Sequence, residues 1–384
     1  MVVPNGQGFG ASGKLGADHA SLFFTAKDYL ARAQMYDPRV DPWGRTAETF
    51  PPHFVFLTAH STARLDFASS ALLNNFVQVL LFLVVSAYFL RHGSSSWVLK
   101  ISGVAAGAFA VFCTPVGVTW FERAQTDIYC ASAILLLLKG MRDDTWHDFV
   151  LAGLFASIKW SSLPFFAVAA LPYVLLAPEQ RARRMQLVGL SVCLPFLLLL
   201  FFGDDARRYL TLVYRSELGH FGGAVGVSLS RYLPSPLSKI VPFIVPLLFV
   251  AVEKLRRHRA GPVSAEPVFW VTAGLVSATF GTTAYEYRLL SVLFILPVVI
   301  DGRSILFSQQ RVVFSNISRV IGIVFLAYAL RVETMPFVDA LIGRYRGVVP
   351  LFVGVSLIVA FFVFESRIAR HPVWGTRVPV TPAP

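Results

Sequence analysis

The sequence predicts an all-α polytopic membrane protein with about eleven transmembrane helices, and three observations carry that reading. Of its 384 residues, 55% are apolar and only 15% charged, both displaced in the same direction from the roughly 45 to 50% and 25% of soluble domains. Mean hydropathy is +0.62. Apolar runs close to the length of about 20 residues that crosses a bilayer recur from residue 64 to residue 365. This composition excludes a disordered chain and an ordinary cytosolic enzyme, and it leaves no stretch for a soluble nucleotide-binding domain.

The charge and the cysteines narrow the class further. A net charge of +12 with an isoelectric point near 9.9 is what basic loops beside apolar spans produce against anionic lipid. Membrane lipid is therefore the expected partner, and no nucleic acid. Cys113, Cys130 and Cys193 stand inside apolar runs without CxxC spacing, which argues against a disulfide framework or a thiolate metal site. They read as core thiols.

Residues 1–63 differ from the rest. After a Gly-rich start, SLFFTAKDYLARAQMYD has an amphipathic helical pattern, and DPRVDPWG through FPPH carries turn chemistry. No basic segment followed by an apolar one opens the chain, so a signal peptide is not expected there. Apolar runs follow at about 64–91, 98–119, 124–139, 147–158, 162–177, 185–203, 241–253, 265–283, 287–300, 317–332 and 346–365. The domain reading is an extracytoplasmic loop with a juxtamembrane helix over 1–63, a transmembrane domain over 64–365 and a cytoplasmic tail over 366–384.

Several runs, notably 147–158, 241–253 and 287–300, are short for a full crossing. Such helices need neighbours or a wet cavity to shield their ends, which implies an invaginated site. An odd number of spans puts the loops RHGSSSWVLK, APEQRARR, EKLRRHRAG and ESRIARHP on one face. Being short and dense in Lys and Arg, they mark that face as cytoplasmic. The N-terminal segment and the 204–240 loop are then extracytoplasmic.

Ionisable residues at helix ends gather on this outer face: Glu122, Arg123 and Asp127; Lys159; Asp204, Asp205, Arg207 and Arg208; Glu286 and Arg288. A charge at mid-membrane costs about 2.5 to 3.5 kcal/mol even on the lenient insertion scale, so each is a functional candidate, the plain alternative being a loop residue snorkelling to the headgroups. Lys159 in GLFASIKWSSLPFF and Arg288 in AYEYRLLSVLF stand between apolar runs without polar flanks. Carboxylates beside cations suit either group transfer from a lipid phosphate or a substrate pathway in a transporter.

At these residues the chain resembles a known family. Asp18 with LFFTAKDYLARAQMYDP, followed by FPPHFVFL at 50–57, is similar to the first extracytoplasmic loop of polyprenol-phosphate-dependent glycosyltransferases of the GT-C superfamily. The family 87 mannosyltransferase-like proteins are the nearer match. Arg123-Ala124-Gln125-Thr126-Asp127 resembles that family's Gly-Gln-x-Asn segment, AGLFASIKWSSLPFF its Ala-Gly to Leu-Lys-Pro run, and TAYEYRLL its late His/Glu-Tyr-Asp/Arg segment, in the same order over about residues 18–300. Three departures stand out. Ala124 replaces the Gly, Trp160 follows Lys159 where the family has Pro, and the membrane helix that normally precedes the Asp would have to be encoded upstream of Met1.

The resemblance implies a GT-C type fold and an inverting glycosyltransferase of the plasma (inner) membrane, multi-pass, with its active site facing outward. It would move a mannose-like hexose or a pentose from a polyprenyl-phosphate donor to a glycolipid or polysaccharide acceptor, without a cofactor. Asp18 would be the general base, a role compatible with capping the helix that follows. Lys159, Arg123 and Arg288 would hold the donor phosphate, and Gln125, Asp127, His53 and Glu286 would bind substrate. His53 serves equally well to satisfy a loop carbonyl, and Asp28 is the substitute base. No DxD-type metal cluster is evident near Asp18, Asp204-Asp205 being a weak substitute. The competing function is a transporter or flippase of a lipid-linked sugar.

Overall fold

The computed structural model describes residues 19–31, 35–36, 50–91, 97–217, 225–226, 233, 235–257, 265–280, 283–284, 286–306, 319–324 and 356. The candidate base Asp18, the tail 366–384 and all of the predicted run 346–365 but residue 356 lie outside the described residues. Two helices belong to the N-terminal segment, α1 (His19–Leu30) and α2 (Pro52–His60). The bundle consists of α3 (Phe67–Leu90), α4 (Trp97–Phe112), α5 (Pro115–Arg123), α6 (Asp127–Asp143), α7 (Trp146–Ile158), α8 (Leu163–Leu175), α9 (Arg181–Leu199), α10 (Gly203–Glu217), α11 (Ser235–Arg257), α12 (Glu266–Ala278) and α13 (Ile295–Asp301). A 3-10 segment, Glu286–Phe294, leads into α13.

Helix starts follow from local chemistry. Asp66 caps α3 by accepting the Ser69 amide at 3.0 Å, and Thr114 caps α5 through the Gly117 amide at 3.1 Å with Pro115 in the first turn. Pro115 also explains why the predicted run 98–119 is two helices: its ring cannot continue α4, and the segments Lys100–Phe112 and Val116–Arg123 meet at 71°. Gly117 lets the backbones touch at that bend, since a Cβ there would lie 2.1 Å from the Val111 carbonyl oxygen.

Two helices among the described residues are long and apolar enough to cross a membrane, Phe67–Leu90 and Pro178–Val213, or three if the bent pair counts as one span. Trp146–Ile158 and Trp160–Leu175 are shorter apolar helices. α6 is buried from Asp127 to Arg142 and α12 along its whole length, as expected of helices apolar on every face. They form the centre. α6 packs against α7, α3 and the Glu286–Phe294 segment, while α11 and α12 pack on α8. The outer helices present large apolar side chains to the surroundings, Phe76 at 63% exposure and Leu72, Leu80, Leu83 and Val84 along one stripe of α3. Contiguous apolar surface on this scale marks a face meant for another apolar phase, and with the central apolar helices it makes this a helical membrane protein.

Two expectations need correction. The 204–240 loop is not a loop at its start, because α9 runs through a 3-10 turn into α10, whose polar and apolar residues alternate with helical period. The all-α class holds, with one two-residue parallel pairing, Val225–Gly226 with Thr283–Ala284, joining that stretch to the one just before Glu286. Of the thiols only Cys130 is in the core, Cys113 and Cys193 being exposed on the outer faces of the bundle.

Candidate functional site

The site forms where two broken helices face each other. α5 ends at Ala124, whose φ of 50° and ψ of 50° lie in the left-handed region, a conformation that costs a residue with a Cβ roughly 1 to 2 kcal/mol. The chain turns through Gln125 and Thr126 and re-enters helix at Asp127. A helix break inside an apolar bundle leaves carbonyls with unfilled hydrogen-bonding capacity, even where one, that of Phe121, accepts the Ala124 amide at 3.2 Å, and apolar surroundings cannot fill it. α3 does so with three amides: Asn75 Nδ2 donates to the Phe121 carbonyl at 2.9 Å, Asn74 Nδ2 to that of Ala124 at 3.3 Å, and Gln78 Nε2 to that of Gln125 at 2.7 Å. The second break lies between α7 and α8, where Lys159 is extended and residues Trp160–Ser162 form a 3-10 turn.

Across these breaks Lys159 Nζ donates to Asp127 Oδ2 at 3.0 Å and to Gln125 Oε1 at 2.9 Å. All three side chains are buried. Asp127 opens α6, so the helix N-terminus also favours its negative charge. The Lys159 carbonyl receives Ser162 Oγ at 3.3 Å, and Cys130 Sγ lies 3.2 Å from Ser161 Oγ. The Asp127 Oδ1, Thr126 Oγ1 and Trp160 Nε1 atoms are buried with no hydrogen-bond partner among the described residues. Unpaired buried polar atoms of this kind are what water or a polar substrate satisfies.

The remaining candidates stand on neighbouring elements. Arg288 is half-buried in the 3-10 segment packed on α6. Arg123 is the half-buried last residue of α5. Glu286 opens the 3-10 segment, and its side chain is outside the described residues. His53 bonds through Nε2 to the Ser157 carbonyl at 2.8 Å, so it ties α2 to the last turn of α7, and burial lowers its pKa. The bond to a backbone carbonyl is one of the two roles expected for His53, and its Nδ1 is buried without a partner among the described residues.

A second apolar cluster seats the N-terminal segment on this end of the bundle. Leu22 and Ala26 of α1, Phe54 and Val55 of α2, Tyr129 of α6 and Tyr209 of α10 are buried together. Trp160 packs between Phe196, tilted to it at 4.7 Å between ring centroids, and Tyr209, edge to face at 5.3 Å. His19, next in sequence to Asp18, is buried and bonded from Nε2 to Ser70 Oγ of α3 at 2.8 Å. This bond pins the start of α1 near the amide ladder of α3.

Burial lowers the His19 pKa to about 4 from 6.5. As pH falls the unfolded chain takes up the proton first, so the stability contributed by neutral His19 is lost between about pH 6.5 and pH 4, roughly 3 kcal/mol in all. His19→Gln is expected to flatten the acid limb of thermal unfolding in detergent over that window. An unchanged acid limb would remove His19 from the account.

Sequence reasoning missed the amides Asn74, Asn75 and Gln78. Their signal was an uncharged polar set at spacings of one and three residues inside an otherwise apolar run. It also missed a second ionic cluster at the opposite end of α6. There Lys139 Nζ pairs with Asp143 at 2.7 Å and Asp148 at 3.3 Å, and Arg142 Nη1 pairs with Asp301 at 2.8 Å. Every member has a partner within this network, so it reads as a clamp joining α6, α7 and α13. Among the described residues no group of three or more His, Cys, Asp or Glu is gathered as a metal site.

A scan against protein-family models finds no match to this chain, and searches among curated proteins and solved structures find none either.

Proposed function

We propose that the chain is an integral-membrane glycosyltransferase of GT-C type with eleven spans, moving a sugar from a polyprenyl-phosphate donor to a lipid-linked or polysaccharide acceptor on the extracytoplasmic face. The observation that carries the reading is the buried Lys159, Asp127 and Gln125 cluster at two facing helix breaks, beneath a seated N-terminal segment. Residues separated by more than thirty positions, each selected from sequence for a role in the same reaction, share one hydrogen-bonded group there. In the reaction the acceptor hydroxyl attacks the anomeric carbon, its proton passes to Asp18, and the bond from that carbon to the phosphate oxygen breaks. The cations Lys159, Arg288 and Arg123 meet the charge that develops on the leaving phosphate, while Gln125, Asp127, His53 and Glu286 line the sugar's path.

Two departures from the family pattern are compatible with this reading. Ala124 stands in a left-handed conformation, where the family's Gly fits without strain. Lys159 is extended, with φ of −147° and ψ of 117°, as a residue before proline would be, so Trp160 follows a backbone that suits either residue.

The test is purified protein in lipid with radiolabelled polyprenyl-phosphate sugar and a membrane extract as acceptor. Label is expected to move to acceptor, and a water-soluble nucleotide sugar is expected not to serve. One observation favours a second reading, a flippase for a lipid-linked sugar: transporters also bind substrate at interrupted helices. Label that crosses the bilayer without being transferred would decide for it.

Sidedness has its own expected result. With exposed Cys113 and Cys193 replaced, Ser216→Cys should react in intact cells with a membrane-impermeant thiol reagent and Ser264→Cys should not. The reverse pattern would move the site to the cytoplasmic face.

A further inference from the structure

We propose that a cleft between α3, α4 and α13 binds one chain of an anionic phospholipid whose headgroup phosphate rests on Lys100. The cleft is about 200 Å³, below the roughly 300 Å³ at which pockets for drug-sized ligands begin. Its lining is apolar apart from Ser86 and Lys100. With only these two polar side chains, a sugar or nucleotide finds too few hydrogen bonds there, whereas a hydrocarbon chain needs none. Leu83, Val104 and Phe112, which line it, are among the exposed outer side chains. The mouth therefore opens sideways, toward lipid.

Two glycines one turn apart shape the cleft on the α4 side. A Cβ on Gly103 would lie 1.9 Å from Ile300 Cδ1, while one on Gly107 would meet Leu296 Cδ1 at 3.7 Å. α4 and α13 thus touch closely at position 103, as small residues allow, and leave space at position 107.

Charge decides which lipid fits. Lys100 is half-buried and has no ion-pair partner among the described residues, so it presents a single positive charge at the edge of an apolar slot. It sits at the clamp end of the bundle, because Ile300, across the cleft, precedes the Asp301 that pairs with Arg142. The donor phosphate of the proposed reaction would lie at the other end, by Asp127. A lipid with its phosphate on Lys100 therefore belongs to the opposite leaflet from the donor. The lipid site rests only on the chain lying in a bilayer, and the comparison of leaflets alone uses the transferase reading.

Native mass spectrometry of the full chain in detergent tests it, with phosphatidylglycerol and phosphatidylcholine of identical oleoyl chains as probes. A lysine at the membrane surface contributes about 1 kcal/mol toward anionic lipid, so phosphatidylglycerol is expected to bind about fivefold more tightly. Lys100→Gln should bring the two lipids together, and Gly107→Leu, which fills the slot, should release both. Thermal unfolding checks that each variant is folded, and Lys100→Gln alone carries the test if Gly107→Leu is not. Equal binding of the two lipids to the wild type, or an undiminished preference in Lys100→Gln, would overturn the proposal. So would displacement of the phospholipid by a polyprenyl phosphate whose binding ignores Lys100→Gln, which would give the cleft to the tail of the sugar carrier.

Discussion

Asp18→Asn is expected to lower sugar transfer about 100- to 10,000-fold while protein level stays unchanged. The change keeps the size of the side chain and its capacity to cap a helix but removes its capacity to take up a proton. The loss corresponds to roughly 3 to 5 kcal/mol of barrier. The anchoring of the neighbouring His19 on Ser70 gives a control, since His19→Gln should alter acid stability far more than it alters turnover near neutral pH. The measurement is initial rate with purified protein in lipid at saturating polyprenyl-phosphate sugar. Full activity in Asp18→Asn would end the assignment of the base and leave Asp28 as the residue to examine.

The second large effect concerns Lys159. Removing one partner of a buried ion pair leaves the other charge without compensation, at a cost of about 3 to 5 kcal/mol. Lys159→Met should therefore destabilise the protein strongly, because Asp127 lies in the core with Oδ2 bonded to Lys159 and Oδ1 without a partner among the described residues. Combining it with Asp127→Leu removes both charges and should recover most of that loss. A double-mutant cycle on apparent melting temperature in detergent reads the coupling. If the two single losses simply add, the pair is not a unit, and the site loses its central contact. Transfer activity should stay absent in the stabilised double variant, which separates the functional use of the pair from its structural one.

Much of the bundle was legible because hydropathy alone marks a helix that faces lipid or core. The runs 64–91, 147–158 and 162–177 correspond closely to α3, α7 and α8. α10 escaped because Asp204, Asp205, Arg207 and Arg208 make its average polar, and only its period reveals the buried Ala206 and Tyr209. The site was half legible. Lys159 and Asp127 each stood out as a charge beside apolar residues, but their pairing depends on how α6 packs against α7, which no local pattern encodes. The Asn74, Asn75 and Gln78 ladder was overlooked for another reason: a neutral amide in an apolar run raises no electrostatic alarm, and the helix break that it serves lies some forty-six to fifty residues away in sequence.

The clamped central helix sets a relation between bilayer thickness and chemistry. α6 carries ionic pairs at both ends, and the apolar stretch between them, from Ile128 to Leu138, is only about 16 Å long. The hydrocarbon core of a bilayer is about 30 Å thick. α3, with 24 residues, is long enough to match that thickness at the lipid boundary, while α6 is shielded from lipid by its neighbours. In a bilayer spanned by α3, hydrophobic mismatch would be absorbed inside the protein, with Asp127 below the plane of the headgroups. In the proposed reaction a carrier phosphate would have to sink from that plane to reach the cluster, over a distance that grows with acyl-chain length. Turnover in vesicles is accordingly expected to fall as the bilayer is thickened.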